Sequence, residues 1–251
     1  MFRIDLNSDL GESFGHYRIG NDQAVIPLIT SCNVACGWHA GDASIMRKTV
    51  ATARECGISV GAHPGYPDLQ GFGRRQMGIS PEEGYDAIVY QVGALMAVCR
   101  TQGVQLKHVK PHGAFYNRCA VDRELSDAVV AAVRDLDPSL IVVGLAGSNL
   151  VDAARDAGLR VAQEYFVDRN YTDEGELVNR REPDALITDE AVAIERAIRA
   201  ITEGEVVSRT GKVIEITADT ICIHGDGEKA LRFARDIREA FEKAGIDIRP
   251  L

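Results

Sequence analysis

Seven short apolar runs recur along this chain, at residues 3–8, 30–35, 58–62, 106–110, 140–145, 161–166 and 220–224, and helical patterns separate most of them. The helical stretches cover residues 43–56, 82–102, 123–136, 148–157, 190–203 and 228–244. Several carry start and stop signals: Ser80-Pro81-Glu82-Glu83 opens one, and Gly57, Gly103 and Gly158 close others. Such alternation implies mostly parallel pairing, in a closed barrel or an open doubly wound sheet. The strand faces discriminate between the two. In the first run Ile4 and Leu6 share one side while Asp5, Asn7 and Asp9 share the other. In the fourth, Val109 opposes His108 and Lys110; in the last, Ile221 and Ile223 oppose Cys222 and His224. An open sheet is covered by apolar helices on both faces, so polar rows there are costly. In a barrel, one face meets the helices and the other can lead to a polar site at the strands' C-terminal ends. The expected fold is therefore α/β, a distorted seven-stranded β/α (TIM-like) barrel in one domain over residues 1–251. Residues 204–217 (GEVVSRTGKVIEIT) read instead as a hairpin turning at Thr210-Gly211.

Composition narrows the partners. Lys and Arg total 28 against 37 Asp and Glu, a net charge of −9, which repels phosphate backbones and anionic lipid. Neither nucleic acid nor a membrane is an expected partner. The most apolar stretch, residues 87–99, is too short to span a bilayer. Asp5, Asp9 and Glu12 sit where a signal peptide would be apolar, so a cytoplasmic location is expected. The six dispersed cysteines suit free thiols better than a disulfide framework.

Ionisable residues and glycines gather just after the strands, where a barrel assembles its active site. The segments are DLNSDLGE with Asn7, Asp9 and Glu12; NVACGWHAGD with Asn33 and His39; and GAHPGYPD with His63, followed by GFGRR with Arg74 and Arg75. Further along come HVKPHGAFYN with Lys110, His112 and Asn117; EYFVDRNY with Glu164, Asp168 and Arg169; and HGDG with His224 and Asp226. Asp9 could serve as a base or metal ligand, or could cap the loop at Gly11. A lysine inside a barrel needs an anion or developing negative charge beside it, so Lys110 either stabilises a reacting group or pairs with Asp5 or Glu164. Arg74 and Arg75 could clamp a carboxylate or lie solvated on a loop. Cys32-x3-Cys36-x2-His39 lacks a fourth nearby ligand and reads as buried thiols, while Pro111 breaks any helix across His108-x3-His112. A mononuclear metal on Asp9, His39 and His63 remains open. Gly204 and Gly211-Lys212 have the wrong spacing for a phosphate loop, and no ATP-binding motif is recognisable.

Taken together, DLNSDLGESFG, SCNVACGWHAGD, GAHPGYPDLQGFGRR, YQVGAL, HVKPHGAFYN, EYFVDRNYTDEGELVNR and ICIHGDG resemble the LamB/YcsF family across residues 5–227. Tyr165, Val167 and Asn179 depart from the pattern, in places that concern loop packing more than chemistry. The resemblance implies a barrel similar to those of glycoside hydrolases and carbohydrate deacetylases. It also implies a lactam-opening hydrolase, a 5-oxoprolinase converting 5-oxoproline, ATP and water to glutamate, ADP and phosphate. Two partner subunits, B and C, are implied, with ATP as a co-substrate handled mainly by them; a homo-oligomer is compatible. The catalytic set expected on this basis is Asp9, His39, His63, Lys110, His112 and Glu164. Substrate contacts are expected from Asn7, Glu12, Asn33, Arg74, Asn117, Asp168, Arg169, His224 and Asp226. Two other readings stay open on the residues alone: a stand-alone metal-dependent deacetylase-like hydrolase, and a non-catalytic ligand-binding subunit.

Overall fold

The alternation of polar and apolar residues in the strands decides which way the sheet curls. The structure is a computed structural model describing residues 2–179, 181–223 and 228–251, with backbone alone for 228–230. His224 and Asp226, expected in the site, lie outside the described residues. Strands β1 (Arg3–Leu10), β2 (Ser31–Ala35), β3 (Ser59–His63), β4 (Leu106–Val109), β5 (Ile141–Leu145) and β6 (Arg160–Phe166) pair in that order. After β7 (Glu205–Val207) and β8 (Val213–Glu215), which form the hairpin expected over 204–217, β9 (Thr220–Cys222) joins β6. It pairs with β1 as well, closing a seven-stranded parallel barrel.

Register places Asp5 beside Thr220, Asn7 beside Ser31 and Cys222, Asp9 beside Asn33, and Asn33 beside Gly61. Gly61 in turn is level with His108, and Glu164 with Thr220. Neighbours in register face the same side, so this polar set lines the interior. At the N-terminal end of the strands, inward-facing Ile141, Val143 and Ala162 form a small apolar floor against which Leu251 packs. A two-residue strand, β10 (Asp247–Ile248), was not expected. Its chain bonds to the carbonyls of Phe2 and Ile4, on the edge of β1 that meets the Thr30 N–H further along. A pairing this short leaves no periodic signal to read.

The apolar strand faces meet helices α2 (Ala43–Glu55), α3 (Pro81–Thr101), α5 (Arg123–Leu136), α6 (Asn149–Asp156), α7 (Glu190–Thr202) and α8 (Glu228–Lys243), which follow the short α1 (Asp22–Val25) and flank α4 (Gly113–Val121). One cluster joins Leu10, Val34, Val60 and Val109 to Ile88, Leu95 and Val129; another joins Ile4, Leu6, Tyr165 and Ile221 to Ala197, Ile237 and Phe241. Several helix starts are fixed by side-chain caps. Asp42 accepts from the Ser44 and Ile45 N–H groups at 2.9 Å each, and Ser80 with Glu83 forms a reciprocal capping box. All six cysteines are free thiols, five of them buried. Among the described residues no helix is long and apolar enough to cross a membrane.

Candidate active site

Lys110 stands at the centre of the barrel's polar interior. It leaves β4 with its N–H bonded to the Ala62 carbonyl, and its side chain is 3% exposed. Its Nζ lies 2.7 Å from Glu164 Oε1 and 3.1 Å from Asp9 Oδ1, with Asn7 Oδ1 at 3.2 Å and Cys222 Sγ at 3.4 Å. Burial opposes the charge, but Asp9 and Glu164 outweigh it and hold the Lys110 pKa well above its usual value. Of the two ion-pair partners read from sequence, Glu164 makes the contact. Asp5 is engaged elsewhere, accepting from the hydroxyls of Thr30, Ser31 and Thr220.

Amides link these charges. Asn33 Nδ2 donates to Asn7 Oδ1 and Asp9 Oδ1, each at 2.8 Å, while its Oδ1 accepts from His108 Nε2 at 2.7 Å. Asn7 Nδ2 donates to Glu164 Oε1 at 3.1 Å and Thr220 Oγ1 at 2.7 Å. His108 fits because β3 carries Gly61 opposite it; a Cβ there would overlap the imidazole. Burial first, then the Lys110 charge, push His108 down to about 3. Its neutral ring therefore stabilises the fold fully above about pH 6.5, and that contribution is lost as pH falls from 6.5 toward 3. The expected loss is about 3 kcal/mol by pH 4. Urea midpoints measured across this range should fall in the parent and fall less steeply in His108→Gln.

A second group sits at the mouth. His63 Nδ1 meets the Lys110 carbonyl at 2.8 Å, and its Nε2 lies 3.2 Å from Asp9 Oδ2 and 3.0 Å from His112 Nδ1. His112 Nε2 meets the Phe72 carbonyl at 2.8 Å. Phe72 adopts a left-handed backbone (φ 55°), a strained state for a bulky residue, and so its carbonyl reaches His112. His39 stacks flat on His112 with ring centres 3.7 Å apart, and its Nε2 is 3.3 Å from Glu12 Oε1. Burial, reinforced by the neighbouring rings, lowers His39 well below its usual value and His112 to about 3. Small residues make room: a Cβ on Gly65 would come within 2.6 Å of His39 Nδ1, and one on Gly73 within 2.8 Å of His112 Cδ2. Gln91 on α3 fixes the Gly65 backbone from behind, bonding both its N–H and its carbonyl.

Asp9, His39, His63, Lys110, His112 and Glu164 thus come together at one end of the barrel, with Asn7, Glu12 and Asn33 among them. Arg74 is exposed beside them, its guanidinium 5.0 Å from the Phe72 ring centre. Arg75 pairs with Asp68 instead. Of three further expected contacts, one is exposed and two lie in the loop after β6, where Asp168 Oδ1 is buried. Asn117 is exposed on α4, and it is Tyr116, one position earlier, that turns inward. The Asp168 carbonyl accepts from the Ile187 N–H, and Arg169 donates to the carbonyls of Val178 and Ala185, bonds that hold the loop after β6 in shape. The reading from sequence missed Tyr116. Its phenol is raised well above the usual value by burial and by adjacent Glu164, so it stays protonated. Its signal was a four-residue spacing from His112, one helical turn, in a helix hidden behind Pro111 and Gly113.

Comparison with known proteins adds a decisive observation: the family model described as LamB/YcsF matches residues 4–251. The chain belongs to the LamB/YcsF family. It is 55% identical over 248 residues to a Bacillus subtilis (strain 168) protein named as the A subunit of 5-oxoprolinase, covering 99% of this chain and 96% of that one. The crystal structure of a lactam utilization protein from Thermus thermophilus superposes with a TM-score of 0.94 at 45% identity, covering 99% of this chain and 100% of that one. A family 4 carbohydrate esterase from Streptomyces lividans shares the fold alone, with a TM-score of 0.50 at 12% identity, covering 98% and 91% of the two chains. This chain thus carries the Lys110 network inside a barrel whose fold the Streptomyces esterase shares.

Proposed function

We propose that this chain is the A subunit of an ATP-dependent 5-oxoprolinase, opening the lactam of 5-oxoproline to give glutamate together with partner subunits B and C. The observation that carries this reading is the 55% identity, over nearly the whole of both chains, to the A subunit of the Bacillus subtilis 5-oxoprolinase. The site chemistry supports it. An unactivated lactam carbonyl is a poor electrophile, and phosphorylating its oxygen from ATP makes the ring carbon open to water. Water adds there, the ring C–N bond breaks, and the nitrogen takes a proton; a second water then releases phosphate from the acyl phosphate. In this chain Lys110 stabilises the negative charge that develops on the activated carbonyl group, in a dry interior where one such contact counts heavily. Asp9, held by Asn33 and facing His63, takes the proton from water and delivers it to the ring nitrogen as the C–N bond breaks. Arg74 at the rim receives the substrate carboxylate. ATP is handled by the partners, since no nucleotide motif is recognisable in the sequence.

Reconstitution with candidate B and C subunits tests this. Glutamate release and ATP consumption should both require this chain, and the chain alone should do neither at an appreciable rate. ATP-coupled turnover by the isolated chain would refute the division of labour. A complete complex inert towards 5-oxoproline would refute the substrate.

A further inference from the structure

We propose that the mouth of the barrel binds a divalent first-row transition-metal ion between His63 Nε2 and His112 Nδ1, with the carboxylates of Asp9 and Glu12 completing the donor set. The argument is a count of protons. A backbone carbonyl can only accept, so the contacts to Lys110 O and Phe72 O fix N–H groups on His63 Nδ1 and His112 Nε2. In neutral rings that leaves two lone pairs, on His63 Nε2 and His112 Nδ1, facing each other at 3.0 Å. Lone pairs at that separation repel unless something positive lies beside both. The surroundings increase the demand for positive charge: Asp9 Oδ2 is 3.2 Å from His63 Nε2, and Glu12 Oε1 is 3.8 Å from His112 Nδ1.

Imidazoles that donate one N–H to a carbonyl and turn the other nitrogen toward a shared point are the usual mark of metal-ligating histidines. One donor atom from each of Glu12, His39, His63 and His112 falls within 4.8 Å of the others. The stacking separates their roles. His39 and His112 are nearly parallel, 3° apart with centres 3.7 Å apart, so an ion in the plane of one ring lies out of the plane of the other. His39 therefore acts as a positioning residue, bonding Glu12 through Nε2. Two imidazole nitrogens and two carboxylate oxygens suit Zn²⁺, Co²⁺, Fe²⁺ or Mn²⁺ better than Mg²⁺ or Cu⁺. The rival occupant is a single extra proton on His63, shared between Asp9 and His112.

The inference does not rest on the proposed function, and its test uses no substrate. The full chain, stripped with a chelator and titrated with Co²⁺ at neutral pH, should take up one ion per chain and develop visible d–d absorption that Zn²⁺ abolishes. Affinity should fall at least about tenfold in His63→Gln, His112→Gln and the milder Asp9→Asn, and less in His39→Gln. Circular dichroism identifies the variants that remain folded. The proposal is overturned if the folded parent chain takes up neither Co²⁺ nor Zn²⁺. Unchanged affinity in folded Asp9→Asn and His112→Gln also overturns it, since the ion then binds elsewhere. So does a His63 imidazolium, protonated on both nitrogens, that persists by nitrogen NMR in excess Zn²⁺. A failure here leaves the 5-oxoprolinase assignment standing, and an inert reconstituted complex leaves the metal site standing.

Discussion

Replacing Lys110 by methionine should cut glutamate release by the reconstituted complex roughly a hundred- to a thousandfold, the loss expected when one charge-stabilising contact is removed from a dry site. The same change should lower stability by about 3–5 kcal/mol, because Glu164 and Asp9 would be left facing each other without their cation. The two effects have different origins and can be separated. In the double variant Lys110→Met/Glu164→Gln one uncompensated charge is gone, so part of the stability should return while turnover stays low. Urea unfolding and glutamate release measured on the same preparations decide the matter. Near-normal turnover in folded Lys110→Met would remove the lysine from the mechanism and leave it a structural ion pair.

Gly61→Ala should be the most damaging single methyl group in the barrel. The added Cβ falls within the space of the His108 ring, whose Nε2 bonds Asn33 and through it Asn7 and Asp9. The ring cannot swing aside without leaving the Asn33 oxygen unpaired in a buried place, so the cost should reach about 3 kcal/mol or more. Adding His108→Ala to Gly61→Ala should recover stability relative to Gly61→Ala alone, an unusual outcome for a second truncation in a core. If Gly61→Ala unfolds at the parent's urea concentration, the packing described between β3 and β4 is wrong.

Much of this was legible in the chain because strand periodicity is short and strict. Asp5, Asn7 and Asp9 had to share a face, and opposite Ile4 and Leu6 that polar face favoured the inside of a closed barrel over a sheet covered on both sides. Helices with an aspartate or serine cap and a glycine stop were placed to within a residue or two. What stayed hidden depends on three-dimensional neighbours. Helix α4 begins directly after a proline and a glycine, which read locally as a loop, so Tyr116 was passed over for exposed Asn117. The resemblance implied a substrate contact for Arg169, but its bonds to carbonyls 9 and 16 residues away, along a loop with no period, could not be read from the chain. Glu12 was expected to touch substrate, and only the fold shows it against His39 and His112. Spacing within a strand can be read from sequence, but the meeting of separate loops cannot.

The polar lining also bears on the order in which the chain folds. Asn7 bonds Glu164, 157 residues later, and Thr220, 213 residues later, while Thr220 bonds Asp5 across 215 residues. The first strand is therefore satisfied in part by β6 and β9, the last two strands of the barrel. A half-built barrel that collapsed around β1 would bury Asp5 Oδ2 and Asn7 Nδ2 without the Thr220 and Glu164 partners they have in the finished ring, which is unfavourable. Closure waits for β9, a contact of high sequence separation and correspondingly slow formation. The residues that make the interior fit for chemistry thus also tie the ends of the barrel together, and their bonds are complete only when the ring of strands is.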